Sequence, residues 1–150
     1  MKLFIKILML IFLVSCGYTP IMKTKDLNFS ITNIEGEGIN NINYKIKNTL
    51  KRFSNVENKS IFYEAKIFSK KEKTTLSKDS KGNPKIFQIE IIVKLKIFEN
   101  NDLKEEKIFV ENFKYKNSSE KFELSQYEKN LEENLTNKIL QKINLFLYSL

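Results

Sequence analysis

The chain has no histidine, one cysteine, two prolines and four glycines among its 150 residues. Each scarcity excludes something. A single thiol cannot close an internal disulfide, so a conventional apolar core must hold the fold even in an oxidising compartment. Without histidine or a spare cysteine, the usual zinc sites and nucleophile–base pairs lack their ligands. The carboxylates are scattered among lysines and read as solvated surface. No catalytic constellation emerges, so neither an enzyme activity nor a cofactor or metal is expected. No apolar run reaches the roughly 20 residues of a membrane-spanning helix. Alanine and glycine are sparse beside lysine, asparagine and isoleucine, a bias of the kind an AT-rich genome imposes.

What is present is apolar and basic. Hydrophobic residues make up 41% of the chain, twelve of them phenylalanine, which is enough for the core of one domain. The formal net charge is +8, and an excess of that sign points to an anionic partner. Acidic lipid head groups, phosphorylated glycolipids or an acidic protein face fit an exported protein better than nucleic acid does.

Export itself is read from the first residues. Lys2 and Lys6 flank "KLFIKILMLIFLV", which is apolar throughout from Ile7 to Val14. A basic start, a short apolar core and a small residue before the break describe a secretory signal. In place of an A-x-A-like site the core ends in Leu13-Val14-Ser15-Cys16, which resembles the bacterial lipobox. In such signals the cysteine thiol is acylated, cleavage falls before it, and the freed amine takes a further chain. The alternative, a buried cysteine acting as a small hydrophobe, leaves the basic–apolar–small order unexplained. Residues 1–15 are therefore expected to be a lipoprotein signal peptide, 16–25 a lipidated tether, and 26–150 a single domain. Position 17 is Gly rather than the Asp of an inner-membrane retention signal, which favours the outer membrane. Each buried methylene contributes about 0.8 kcal/mol, and stable anchoring takes more than one chain.

Periodicity gives the element order. "DLNFSITNIEG" alternates Leu27, Phe29 and Ile31 against polar residues, a half-buried strand closed by Glu35-Gly36-Glu37-Gly38. Ile39, Ile42, Ile46, Leu50 and Phe53 recur at helical steps, with Asn40 or Asn41 placed as N-cap. "SIFYEAKIF" sets Ile61, Tyr63, Ala65 and Ile67 on one face. "PKIFQIEIIVKLKIF" sets Phe87, Ile89, Ile91, Val93, Leu95 and Ile97 on one face, opposite Glu90, Lys94 and Lys96. "KIFVENFKY", Lys107 to Tyr115, is strand-like in composition but ambiguous in period, and the reversal before it falls within Glu99 to Glu106. In the last segment Tyr127, Leu131, Leu135, Ile139, Ile143 and Leu147 step by four beside Phe146, with Ser125 and Glu128 at capping-box spacing. The expected fold is α+β: a four-stranded, mainly antiparallel sheet with two helices packed on one face, in the order β-α-β-β-β-α.

Between the second and third strands, Ser69 to Lys85 carries Lys70, Lys71, Lys73, Lys78, Lys81 and Lys85 against only Glu72 and Asp79. Segments this long between strands are often functional or disordered. Two readings fit it. One is a solvated loop in a lysine-rich protein. The other is a hairpin arm, turning near Gly82-Asn83-Pro84, that contacts phosphate or carboxylate groups of a membrane glycolipid.

Together these features resemble a known family. Cys16-Gly17-Tyr18-Thr19-Pro20-Ile21 after a lipobox resembles the "C-G-[FY]-x-P-[LI]-Y" opening of the LptE family of lipopolysaccharide-assembly lipoproteins, in its alphaproteobacterial form. The element order, the long basic hairpin and the closing helix match that family as well. The resemblance implies an outer-membrane protein that plugs an LptD-like β-barrel translocon and binds lipopolysaccharide. Relatives of this form carry arginines near the hairpin where this chain has lysines, which bind phosphate as point charges without the bidentate fork. Only Cys16 carries over by residue; the six hairpin lysines are candidate lipopolysaccharide contacts. A different envelope lipoprotein, such as an accessory subunit of an ABC-type lipid-transport system, is the alternative.

Overall fold

The computed structural model describes residues 27–54 and 59–150. The expected signal, Cys16 and the tether lie outside the described residues. Four strands and two main helices follow in the order β1 (Phe29–Gly38), α1 (Asn40–Leu50), β2 (Ile61–Lys78), β3 (Pro84–Glu99), β4 (Asp102–Lys116) and α2 (Lys121–Leu147), with a 3-10 turn at Lys51–Phe53 closing α1. The strands form one sheet in the order β1-β2-β3-β4. β1 and β2 run parallel, joined through α1, and the remaining pairs are antiparallel hairpins. This is the α+β arrangement expected from periodicity.

Both helices lie on one face because only that face is continuously apolar. β3 is the central seam: Ile91, Val93, Leu95 and Ile97 are fully buried. They meet Leu135, Ile139, Ile143 and Leu147 of α2, while Ile42, Ile46 and Leu50 of α1 close over the β1–β2 half in the same core. Phe29, Phe53 and Tyr63 stack at the start of β1. Phe29, Ser30 and Ile31 are all buried, and the register with β2 shifts just after them, between Ile31 and Asn33. The buried Ser30 hydroxyl then donates to the Ser54 carbonyl at 3.0 Å, which removes the cost of burying it.

Several local expectations are corrected. Neither Asn40 nor Asn41 caps α1; the N-cap is Ile39, with no side-chain cap. Its backbone N–H is instead satisfied from across the sheet by Ser69 Oγ at 2.9 Å, and Asn43 reaches back to the Glu37 carbonyl. α2 begins one turn before the Ser125–Glu128 box, at Lys121, so that pair sits inside the helix. Tyr127 leaves the buried stripe and is 45% exposed, its place taken by Leu124. The reversal within Glu99 to Glu106 contracts to Asn100-Asn101, whose φ values of 52° and 68° are those of a two-residue hairpin turn that asparagine tolerates.

Candidate functional site: a cationic end of the sheet

The segment from Ser69 to Lys85 is an ordered arm. β2 continues to Lys78, pairs with β3 through most of its length, and turns over Asp79 to Asn83. Asp79 builds that turn: its carboxylate accepts the backbone N–H of Lys81 and of Asn83 and the Asn83 side-chain amide. Those bonds, the Asn83 side chain first, hold its pKa below the ordinary aspartate value. β4 flanks the arm on the other side, with Lys116 opposite Ile86. Asn117 then ties the β4–α2 connection to the arm through the Lys85 and Pro84 carbonyls.

The six candidate lysines separate into two groups. At the root, Lys71 pairs with Glu132 and Lys73 with Glu128, both at 2.6 Å, and Lys70 pairs with Glu72. Glu72 raises the Lys70 pKa, by hydrogen bonding first and charge second. Lys73 also lies over the Phe87 ring, 4.3 Å from its centroid, a favourable cation–π placement. Glu128 is partly buried, which opposes its ionisation. Hydrogen bonds from Lys73 and from Tyr115 outweigh that and hold its pKa below the usual glutamate value. Tyr115, whose hydroxyl donates to the same carboxylate at 2.8 Å, is pushed up, by burial first and by Glu128 second. The root lysines thus clasp α2 to the sheet.

Lys78, Lys81 and Lys85 at the tip have no carboxylate within ion-pair distance among the described residues. The fold brings Lys114 and Lys116 of β4 and Lys121 of α2 to the same end. The last of these lines a cleft with Lys85, Asn117 and Ser118. These three escaped the sequence reading because they lie about 30 residues from the arm in the chain; only the hairpin register, placing Lys116 beside Ile86, joins them. Elsewhere on the sheet, lysines that stand close together are neutralised. Lys66 meets Glu35, and Lys94 and Lys96 share Glu106, whose pKa is lowered chiefly by the hydrogen bond from Lys96. Among the described residues, the arm tip concentrates positive charge without carboxylate partners, as does the end of α1 with Lys47, Lys51 and Arg52; only the tip sets that charge beside an open groove with apolar walls.

Beside the tip lies an open groove of about 880 Å³ between β4 and the first turns of α2, walled by Phe113, Tyr115, Leu124 and Tyr127. Among the described residues no three acidic or thiol side chains converge as metal ligands, and no helix is long and apolar enough to cross a membrane. The chemistry available at this end is binding: fixed positive charge for an anion, next to apolar surface.

No family model matches the chain, and no curated protein matches it in sequence. Solved structures do match in shape. The minor lipoprotein of Acinetobacter baumannii superposes with a TM-score of 0.62 at 12% identity, over 80% of this chain and 91% of that one. The rare lipoprotein B of Shewanella oneidensis gives 0.58 at 11%, over 80% and 98%. Lipoprotein B of Nitrosomonas europaea gives 0.58 at 14%, over 85% and 87%. The chain shares their fold. At these identities the likeness covers architecture and leaves residue roles to be argued from this chain.

Proposed function

We propose that this chain is a lipid-anchored lipoprotein of the outer membrane that partners an LptD-like β-barrel in lipopolysaccharide assembly and binds lipopolysaccharide itself. It faces the periplasm, plugs the barrel, and acts as a binding and assembly factor rather than an enzyme. Three lines support the reading: the lipobox-like Leu13-Val14-Ser15-Cys16, the LptE-like opening at Cys16 to Ile21, and a fold shared with solved bacterial lipoproteins.

The observation that carries the ligand is the sorting of the arm lysines. Those at the root are consumed by Glu72, Glu128 and Glu132, whereas Lys78, Lys81, Lys85, Lys114, Lys116 and Lys121 collect at one end without carboxylate partners. Lipid A phosphates are dense negative charges, and several ammonium groups attract them without fixed geometry. Co-purification of the full-length protein tests the partnership. A heat-modifiable outer-membrane barrel in the eluate supports it; a permease and ATPase complex instead would establish the ABC-type accessory reading.

A further inference from the structure

The groove beside the arm tip borders both the clasp and the core through Tyr115 and Leu124, but it also shows two aromatic side chains, Phe113 and Tyr127, that the core cluster does not include. Its walls come from two elements: β4 supplies Phe113 and Tyr115, and α2 supplies Leu124 and Tyr127. Tyr115 and Tyr127 meet edge to face, with ring centroids 5.9 Å apart, and Tyr115 also packs on Phe87 at 5.7 Å. One side of the groove is therefore a braced aromatic wall. Phe113 and Tyr127 remain 42% and 45% exposed. Phe122, on the first turn of α2, is 77% exposed, the most open of the large apolar side chains among the described residues. A volume near 880 Å³ falls within the roughly 300–1,000 Å³ of small-molecule sites.

Charge decides what would lie there. Lys114 and Lys116 border the groove at the sheet edge, alternating along β4 with Phe113 and Tyr115 and so based on its other face, and Lys85 and Lys121 stand in the adjoining cleft. Of the nearby acids, Glu128 is taken up by Lys73 and Tyr115 and Asp79 by its own turn, which leaves Glu123 in the groove and Glu120 at the N-cap of α2. An apolar trough beside ammonium groups that lack carboxylate partners matches a molecule with an alkyl chain and an anionic head. A neutral apolar ligand would make no use of the lysines, and a free phosphate would make none of the trough.

We propose that this groove holds one acyl chain of an anionic glycolipid, with its phosphate on the side of Lys114 and Lys116. The proposal rests on the lipopolysaccharide reading for the identity of the lipid and assigns it a subsite apart from the arm tip. Binding through the tip alone would depend on charge and fall steeply with salt. Binding through the groove adds dependence on chain length, because each buried methylene contributes about 0.8 kcal/mol.

The test uses the protein with alkyl phosphates below their micelle concentrations, followed by chemical-shift titration. Decyl phosphate should bind roughly tenfold more tightly than octyl phosphate, and shifts should centre on the Ile86 and Leu124 methyls. Inorganic phosphate should leave those methyls unmoved, and decyl maltoside should bind at least tenfold more weakly than decyl phosphate. Phe113→Ser with Tyr127→Gln, both at exposed positions, should lower decyl phosphate affinity at least tenfold while lipopolysaccharide still responds to the tip lysines. The methyl shifts are read on wild type, so the result stands even where the double variant folds poorly. Equal affinity for the two chain lengths, or shifts confined to the arm, would overturn the groove. Lipopolysaccharide binding that persists through the tip in that case would leave the functional reading intact.

Discussion

Tyr115 and Glu128 join the end of β4 to the second turn of α2: the phenol donates to Glu128 Oε1 at 2.8 Å, and Lys73 reaches the same oxygen at 2.6 Å. The neighbouring Lys71–Glu132 pair repeats the contact one step along. Two residues of strand advance about 6.7 Å and four residues of helix about 6 Å. Lysines two apart on β2 therefore meet glutamates four apart on an antiparallel helix without strain. The clasp fixes where α2 begins over the sheet, and so fixes the groove between α2 and β4.

Losing one strand of the clasp should be measurable. Tyr115→Phe removes the phenol hydroxyl from a buried site and should cost about 1 kcal/mol by urea denaturation. Glu128→Gln tests the sign of the pH effect. The native state holds the Glu128 pKa below its ordinary value, so this stabilisation is complete above the usual glutamate range near 4.3. It is lost as pH falls through the depressed native value. The stability gap between wild type and Glu128→Gln should therefore narrow as pH is lowered from 7 to 3; a gap that stays constant would remove the ionised clasp from the account.

Gly38 should tolerate no side chain. It has φ of +101°, and a Cβ there would stand 1.9 Å from the Ser69 carbonyl oxygen. Ser69 also holds the first turn of α1 through Ile39, so neither side can give way freely. Gly38→Ala should destabilise by more than about 1 kcal/mol, whereas Gly82→Ala meets open space and should cost less despite its own positive φ. Equal losses for the two by denaturation would contradict the close approach.

The α2 stripe is core. Leu135 is 2% exposed and Ile139 is fully buried, so each alanine substitution should cost roughly 2–5 kcal/mol. Chemical denaturation of residues 26–150 checks this, and a loss under about 1 kcal/mol from both would contradict the packing.

β3 was legible because it is central: neighbours on both sides and helices on one face leave a clean alternation from Phe87 to Ile97. β4 was not. It is an edge strand on which only Phe109 and Tyr115 are buried, while Ile108, Val110 and Phe113 are apolar yet exposed, so its pattern has no single period. The arm was ambiguous for a different reason. Lys71 and Lys73 face the helix side of the sheet, where a strand ordinarily places apolar residues, and their partners Glu128 and Glu132 lie far away in sequence. The α1 cap misled for the same cause: Asn40 and Asn41 are good local caps, but Ser69, 30 residues on, supplies the bond at Ile39.

Anchoring is tested apart from the fold. Cys16→Ser should leave an unprocessed, unacylated precursor, because only sulfur at this position takes the diacylglyceryl group. Labelling with a radioactive fatty acid checks it, and equal incorporation into wild type and variant would end the lipoprotein reading.

The most direct test of the account is lipopolysaccharide binding at low and moderate salt by residues 26–150. Reversing Lys70, Lys71, Lys73 and Lys78 together also breaks the clasp, so the informative variant changes Lys78, Lys81, Lys85 and Lys116 to Glu. Exposed charge contacts are individually weak and screened by salt, so single alanine changes should do little. The quadruple reversal should lower affinity at least tenfold at low salt, with unchanged thermal unfolding and unchanged association with the barrel. Wild-type lipopolysaccharide affinity in that variant at low salt would contradict the claim that the unpaired lysines at this end of the sheet are the ligand site.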